Sequence, residues 1–139
     1  MNVPFLLAAI TATIAVSLHV YTFEVWIWPK LKDVGFPPTP FGGPDVTKGL
    51  YRVVWHFFTV SWLGTIIAML VFAFGDSITY ANLFANVLLV YWILITIVIF
   101  VVGALNLQPG QSYIKVMLKA FQWTLTLALS LLIYWGTQQ

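Results

Sequence analysis

Tyr51-Arg52-Val53-Val54-Trp55-His56-Phe57-Phe58-Thr59-Val60-Ser61-Trp62 opens an apolar segment that continues to about residue 74. A helix needs about 20 such residues to cross the hydrocarbon core of a bilayer. The segment is therefore read as a membrane-spanning helix that begins with two ionisable residues. Arg52 and His56 are four apart, about one helical turn, so they lie one above the other on a single face, and Thr59 continues the row. Ionisable groups inside a membrane helix are costly and usually face protein or a water-filled cavity, with a partner in reach. The rest of the chain is read for that partner.

Three further runs have the same character. Residues 3–28, 48–74, 78–105 and 113–135 each read as one span, with turn chemistry between them. The first is expected to stop at Pro29. The linker between residues 30 and 48 holds Pro37-Pro38-Thr39-Pro40 and Gly42-Gly43-Pro44, which cannot form regular helix. Asp45 or Thr47 is expected to cap the second span, Asp76 or Ser77 the third, and Ser112, after Pro109-Gly110, the fourth. Short connections make consecutive helices antiparallel neighbours. Residues 1–139 are thus expected to form one domain, an all-α, up-down four-helix bundle integral to the membrane.

Composition points the same way. Of 139 residues, 61% are hydrophobic and 7% charged, against about 25% charged in a soluble domain. Six Lys/Arg against four Asp/Glu, scattered singly, offer no tract for nucleic acid. The lack of cysteine excludes disulfides, thiolate metal sites, haem attached through Cys and thiol redox chemistry. No Ser/His/Asp order, phosphate-cradling Gly loop or pair of facing acids marks an enzyme. The first residues lack the basic start and small-residue cleavage site of a signal peptide, so the first run is read as a retained span. No internal repeat is evident. Lys30, Lys32, Lys48 and Arg52 flank the first connection and Lys115 and Lys119 the third, while the termini and middle turn carry no Lys or Arg. The positive-inside rule then places the first and third connections in the cytoplasm and both termini on the non-cytoplasmic side.

Depth arithmetic supplies the partners. His19 lies about nine residues before the end of the first span, and His56 about eight after the start of the second. In an antiparallel hairpin both fall roughly 12 Å in from the cytoplasmic helix ends, at one level. Glu24 and Arg52 share a level one turn nearer the cytoplasm. An ion pair between Glu24 and Arg52 follows, with His19 and His56 on its membrane side. Lys119 and Gln122, three apart on one face of the fourth span, reach nearly the same level. One obstacle is angular: His19 and Glu24 are about 140° apart on an ideal helix, so they cannot address one spot without a bulge. Ala8, Ala12, Ala15, His19 and Thr22 form a stripe suited to close helix packing. Asn82 and Asn86 are expected to bond across helices, and Trp92 and Trp123 to fill the core.

The cluster admits several uses. Its residues serve as interhelical glue, with Arg52, Lys115 and Lys119 snorkelling to headgroups. Alternatively, His19 and His56 are the axial ligands of haem b. His19, His56 and Glu24 together are a two-histidine, one-carboxylate set for a metal ion. A quinone headgroup would accept hydrogen bonds from His56 or Lys119 beside Trp55. An acidic lipid headgroup would suit Arg52 and Lys119, and an ion or proton relay would centre on Glu24.

These residues carry a resemblance. His19-x4-Glu24 on the first span, Pro40-Phe41-Gly42 in the linker, and Arg52, Trp55, His56, Thr59 and Val60 opening the second are similar to motifs of a group of small, uncharacterised bacterial four-helix membrane proteins. The likeness covers roughly residues 15–65, and Phe23 stands where the group carries glycine. It implies a multi-pass protein of the bacterial inner membrane and the same site, without an assigned activity. The expectation is a small, non-catalytic membrane subunit or accessory protein, surrounded by lipid and joined to a homo-oligomer or larger membrane complex. A carrier of haem b or quinone through His19 and His56 is the second expectation, and a small transporter or channel the third.

Overall fold

The computed structural model describes residues 1–31, 34–37, 42–75, 80–105, 107, 109–119 and 122–139, except the side chains of residues 117–119 and 122. Helix α1 (Val3–Tyr21) passes into a π-helical turn (Thr22–Ile27) and then α2 (Trp28–Leu31). Helices α3 (Pro44–Phe74), α4 (Ala81–Leu105), α5 (Tyr113–Lys119) and α6 (Gln122–Thr137) follow. Every regular element among the described residues is helical. The continuous segment Val3–Leu31, α3 and α4 are each long and apolar enough to cross a membrane, and Trp123–Thr137 adds a shorter apolar helix. Such a set of elements makes this a helical membrane protein.

Three boundaries differ from the sequence reading, each for a local reason. The first apolar segment does not stop at Pro29, which lies in the opening turn of α2. The helix runs on through it because the π turn just before has already interrupted the i→i−4 ladder, so the proline's missing N–H falls at a shift of register. The second span starts at Pro44 rather than near residue 48, so Asp45 and Thr47 sit inside the first turn instead of capping it. Proline is preset for this first position, and the Gly43 carbonyl accepts from the N–H groups of Val46 and Thr47. The fourth run is described as α5 and α6, on either side of residues 120 and 121. The expected caps Asp76 and Ser77, and Pro40 and Phe41 of the linker motif, lie outside the described residues.

The chain packs as two compact units. In the unit formed by Met1–Ala12 and Thr65–Gln139, α4 and α6 pack against each other, and Phe5, Ala8, Ala12, Met69, Ala85, Trp92, Leu129 and Ile133 are buried. Its buried polar groups are bonded across helices or, as with Ser130 to the Thr126 carbonyl, within one. Trp92 Nε1–H donates to Thr65 Oγ1 at 3.1 Å, and Thr96 Oγ1 lies 2.8 Å from Thr126 Oγ1. Asn2 caps α1 by accepting the Phe5 N–H, and its own Nδ2 donates to the Gly136 carbonyl at 2.9 Å. Gly136 itself leaves no room for a side chain, since a Cβ there would run into the Phe5 ring. Asn82 and Asn86, expected to bond across helices, are exposed.

The second unit, Thr13–Gly64, holds the ionisable cluster. Ala15, Val16, Phe23 and Trp62 are buried there.

Candidate functional site

Both sides of the site are built from helix phase. On α3, Arg52 and His56 occupy successive turns of one stripe, as their spacing requires. On the first apolar segment the π turn does the positioning. The C-terminal N–H of this turn, from Trp28, reaches back to the Phe23 carbonyl, five residues away. This wider register advances the chain by an extra residue and changes the direction in which Glu24 leaves the helix. With it both His19 and Glu24 face α3, though they meet different partners there.

Glu24 meets both α3 residues. Arg52 Nη2 donates to Oε2 at 2.9 Å, and His56 Nε2 lies 2.9 Å from Oε1. Each carboxylate oxygen therefore has its own donor. The side chains of Arg52, Glu24 and His56 are 46%, 29% and 38% exposed, so the pair is half-buried rather than sealed. The Arg52 guanidinium also sits 4.9 Å from the centre of the Trp28 ring, one helical turn beyond Glu24.

His19 does something else. Its Nε2 faces the Trp55 carbonyl at 3.1 Å, and its ring stacks on the Trp55 indole with centroids 4.6 Å apart and an interplanar angle of 12°. Phe23, four residues on, stacks on the same indole at 4.6 Å and meets His56 edge-on at 5.6 Å. A carbonyl can only accept, so the Nε2 of His19 carries the proton, and the same holds for His56 against an ionised carboxylate. In the neutral rings only Nδ1 is left to accept or ligate.

That assignment bears on the cofactor expectations. Of the three expected metal donors, Glu24 and His56 are bonded to one another and His19 is turned to a backbone carbonyl. Among the described residues no three His, Cys, Asp or Glu side chains gather as a ligand set. Haem ligation through either Nε2 would first have to break a hydrogen bond. In this arrangement neither Nε2 is open to a metal ion or haem iron, and the two Nδ1 atoms are what the imidazoles have left to offer. Lys119 and Gln122, the expected contributions of the fourth span, have side chains outside the described residues.

The structure also gives places to residues whose roles the sequence left open. Phe23 is fully buried beneath the cluster; its advance signals were its place four residues after His19 and its standing where the resembling group carries glycine. The indole Nε1–H of Trp55 and the hydroxyl of Thr59 are buried and have no hydrogen-bond partner among the described residues. Beside the ion pair, Trp28, Asp45, Lys48, Gly49, Arg52 and Val53 help line an open groove of about 750 Å³ that continues past His56 to Phe57 and Val60. Compared with known protein families, curated proteins and solved structures, the chain matches none.

Proposed function

We propose that the protein is a non-catalytic subunit or accessory protein of the bacterial inner membrane, with its four apolar runs forming an up-down bundle and both termini on the non-cytoplasmic side. Its ionisable cluster locks the first two spans together. The observation that carries this reading is the double engagement of Glu24 by Arg52 and His56. A carboxylate that engages a guanidinium and an imidazole of the neighbouring helix ties the two segments together through both of its oxygens. It is a good interhelical clamp.

Other features support the setting. All six Lys/Arg flank the first and third connections, which favours the stated orientation. Ile93, Leu94, Ile97, Val98 and Val101 of α4 are exposed, and so are Val53, Phe57 and Val60 of α3. Such faces are at ease only against lipid or another membrane helix. The resemblance over residues 15–65 supports a bacterial source.

The test is the size of the species extracted from native membranes in polymer-bounded nanodiscs. A partner polypeptide, or a multiple of the 15.7 kDa chain, is the expected result. A homogeneous 15.7 kDa species would overturn the subunit reading. A visible spectrum of the same sample is expected to lack a Soret band, and a Soret band lost in His56→Ala would restore the redox reading.

A further inference from the structure

We propose that the groove along α3 binds a phospholipid whose zwitterionic headgroup carries a primary ammonium. This inference rests on the membrane setting proposed above, with the start of α3 at headgroup level. The order of side chains along the helix carries it. Asp45 comes first, Lys48 and Arg52 follow on the next two turns, and Val53, Phe57 and Val60 complete the lining. A phospholipid lying along the helix presents the same order of complementary groups: ammonium outermost, then phosphate, then acyl chain. Val60 lies about 22 Å along the axis from Asp45, room for a headgroup and the upper part of a chain.

The local geometry agrees with each part. Val53, Phe57 and Val60 are 65%, 68% and 66% exposed, a continuous apolar track. Arg52 carries five N–H donors and gives one to Glu24, so its half-exposed guanidinium retains donors for a phosphate oxygen. The Trp28 ring beneath it holds the guanidinium in place. Gly49 opens the floor between the two cations, where an added Cβ would touch nothing within 4 Å. An acidic lipid fits less well, because Asp45 lies at the outer end of the lining and Glu24 already takes up much of the Arg52 charge.

A purely structural account exists for each charge: Asp45 suits the positive end of the helix dipole, and Lys48 reaches toward the Phe36 ring. It makes no distinction among headgroups, so discrimination is the measurement. The full chain is reconstituted in nanodiscs of equal parts phosphatidylethanolamine, phosphatidylcholine and phosphatidylglycerol, and the lipids retained after release are counted by native mass spectrometry. Phosphatidylethanolamine is expected to exceed each of the others about three- to fivefold, the range of one exposed charge pair. Asp45→Asn should remove its advantage over phosphatidylcholine, which shares the phosphate but has no N–H. Gly49→Leu should lower retention of all three with helicity unchanged. Glycerophosphoethanolamine, the headgroup without chains, should not compete.

Preferential retention of phosphatidylglycerol, equal retention of all three, or an Asp45→Asn variant that keeps the preference would overturn the inference. A chain that stays in carbonate-washed membranes while showing no preference sinks only this site. A chain washed out of those membranes sinks the membrane reading beneath it.

Discussion

Glutamine at position 24 keeps the outline of the side chain while removing the charge that Arg52 and His56 both address. Interhelical polar contacts in membrane bundles average about 0.6 kcal/mol, and exposed ion pairs contribute about 0.2–1 kcal/mol. Glu24→Gln is therefore expected to destabilise by about 1 kcal/mol, measured as a lower midpoint in an SDS titration from mild detergent. A Glu24/Arg52 double-mutant cycle should give a coupling near 0.5 kcal/mol or above. Zero coupling would mean that the two side chains only happen to share a level. Phe23 has more to lose. It is fully buried and touches both Trp55 and His56, so Phe23→Ala should cost about 3 kcal/mol and shift the indole N–H resonance of Trp55. An unmoved resonance would separate Phe23 from the cluster. The meeting of Glu24 with Arg52 was legible because charges are rare here and helix rise is regular. The role of Phe23 was not, since one phenylalanine in an apolar run announces neither depth nor direction.

The π turn is the element on which the site depends. A one-residue deletion inside it, such as removal of the exposed Val25, restores ordinary helical spacing and leaves the flanks in phase. The same deletion at Val90 in α4 turns Trp92 and Thr96 by about 100° away from Thr65 and Thr126. The first variant is expected to insert and to remain helical by circular dichroism, and the second to lose its cooperative unfolding transition. Equal outcomes would show that the wide turn holds no slack. Gly136 supplies a second element-scale expectation. Gly136→Ala drives a methyl group into the Phe5 ring, an overpacking worth about 1–3 kcal/mol, and Phe5→Leu in the same chain should recover part of it. The angle between His19 and Glu24 allowed both to face α3 only through a departure from ideal helix, and composition could not say whether or where it falls. Pro29 misled for a related reason: a helix can pass through a proline where its ladder is already shifted, as the π turn shifts it just before α2.

At the scale of the whole molecule, hydropathy made three long helices legible, because length and apolarity are all that crossing a bilayer demands. The grouping into Met1–Ala12 with Thr65–Gln139, and Thr13–Gly64, was not legible, since packing units assembled from distant segments leave no mark in sequence order. Orientation can be tested directly, because the chain contains no cysteine to interfere. Thr137→Cys is expected to react with an impermeant maleimide on intact cells, and Gly43→Cys only after permeabilisation. The opposite pattern would invert the topology. The bond from Asn2 to the Gly136 carbonyl has a consequence in time. Its partners stand 134 positions apart, and at ribosomal rates of about 5–20 residues per second the acceptor is made roughly 7–27 seconds after the donor. Through that interval the opening turn of the nascent chain goes without its latch, and a translation arrest just short of Gly136 would leave the start of the polypeptide open to proteases that the finished protein resists.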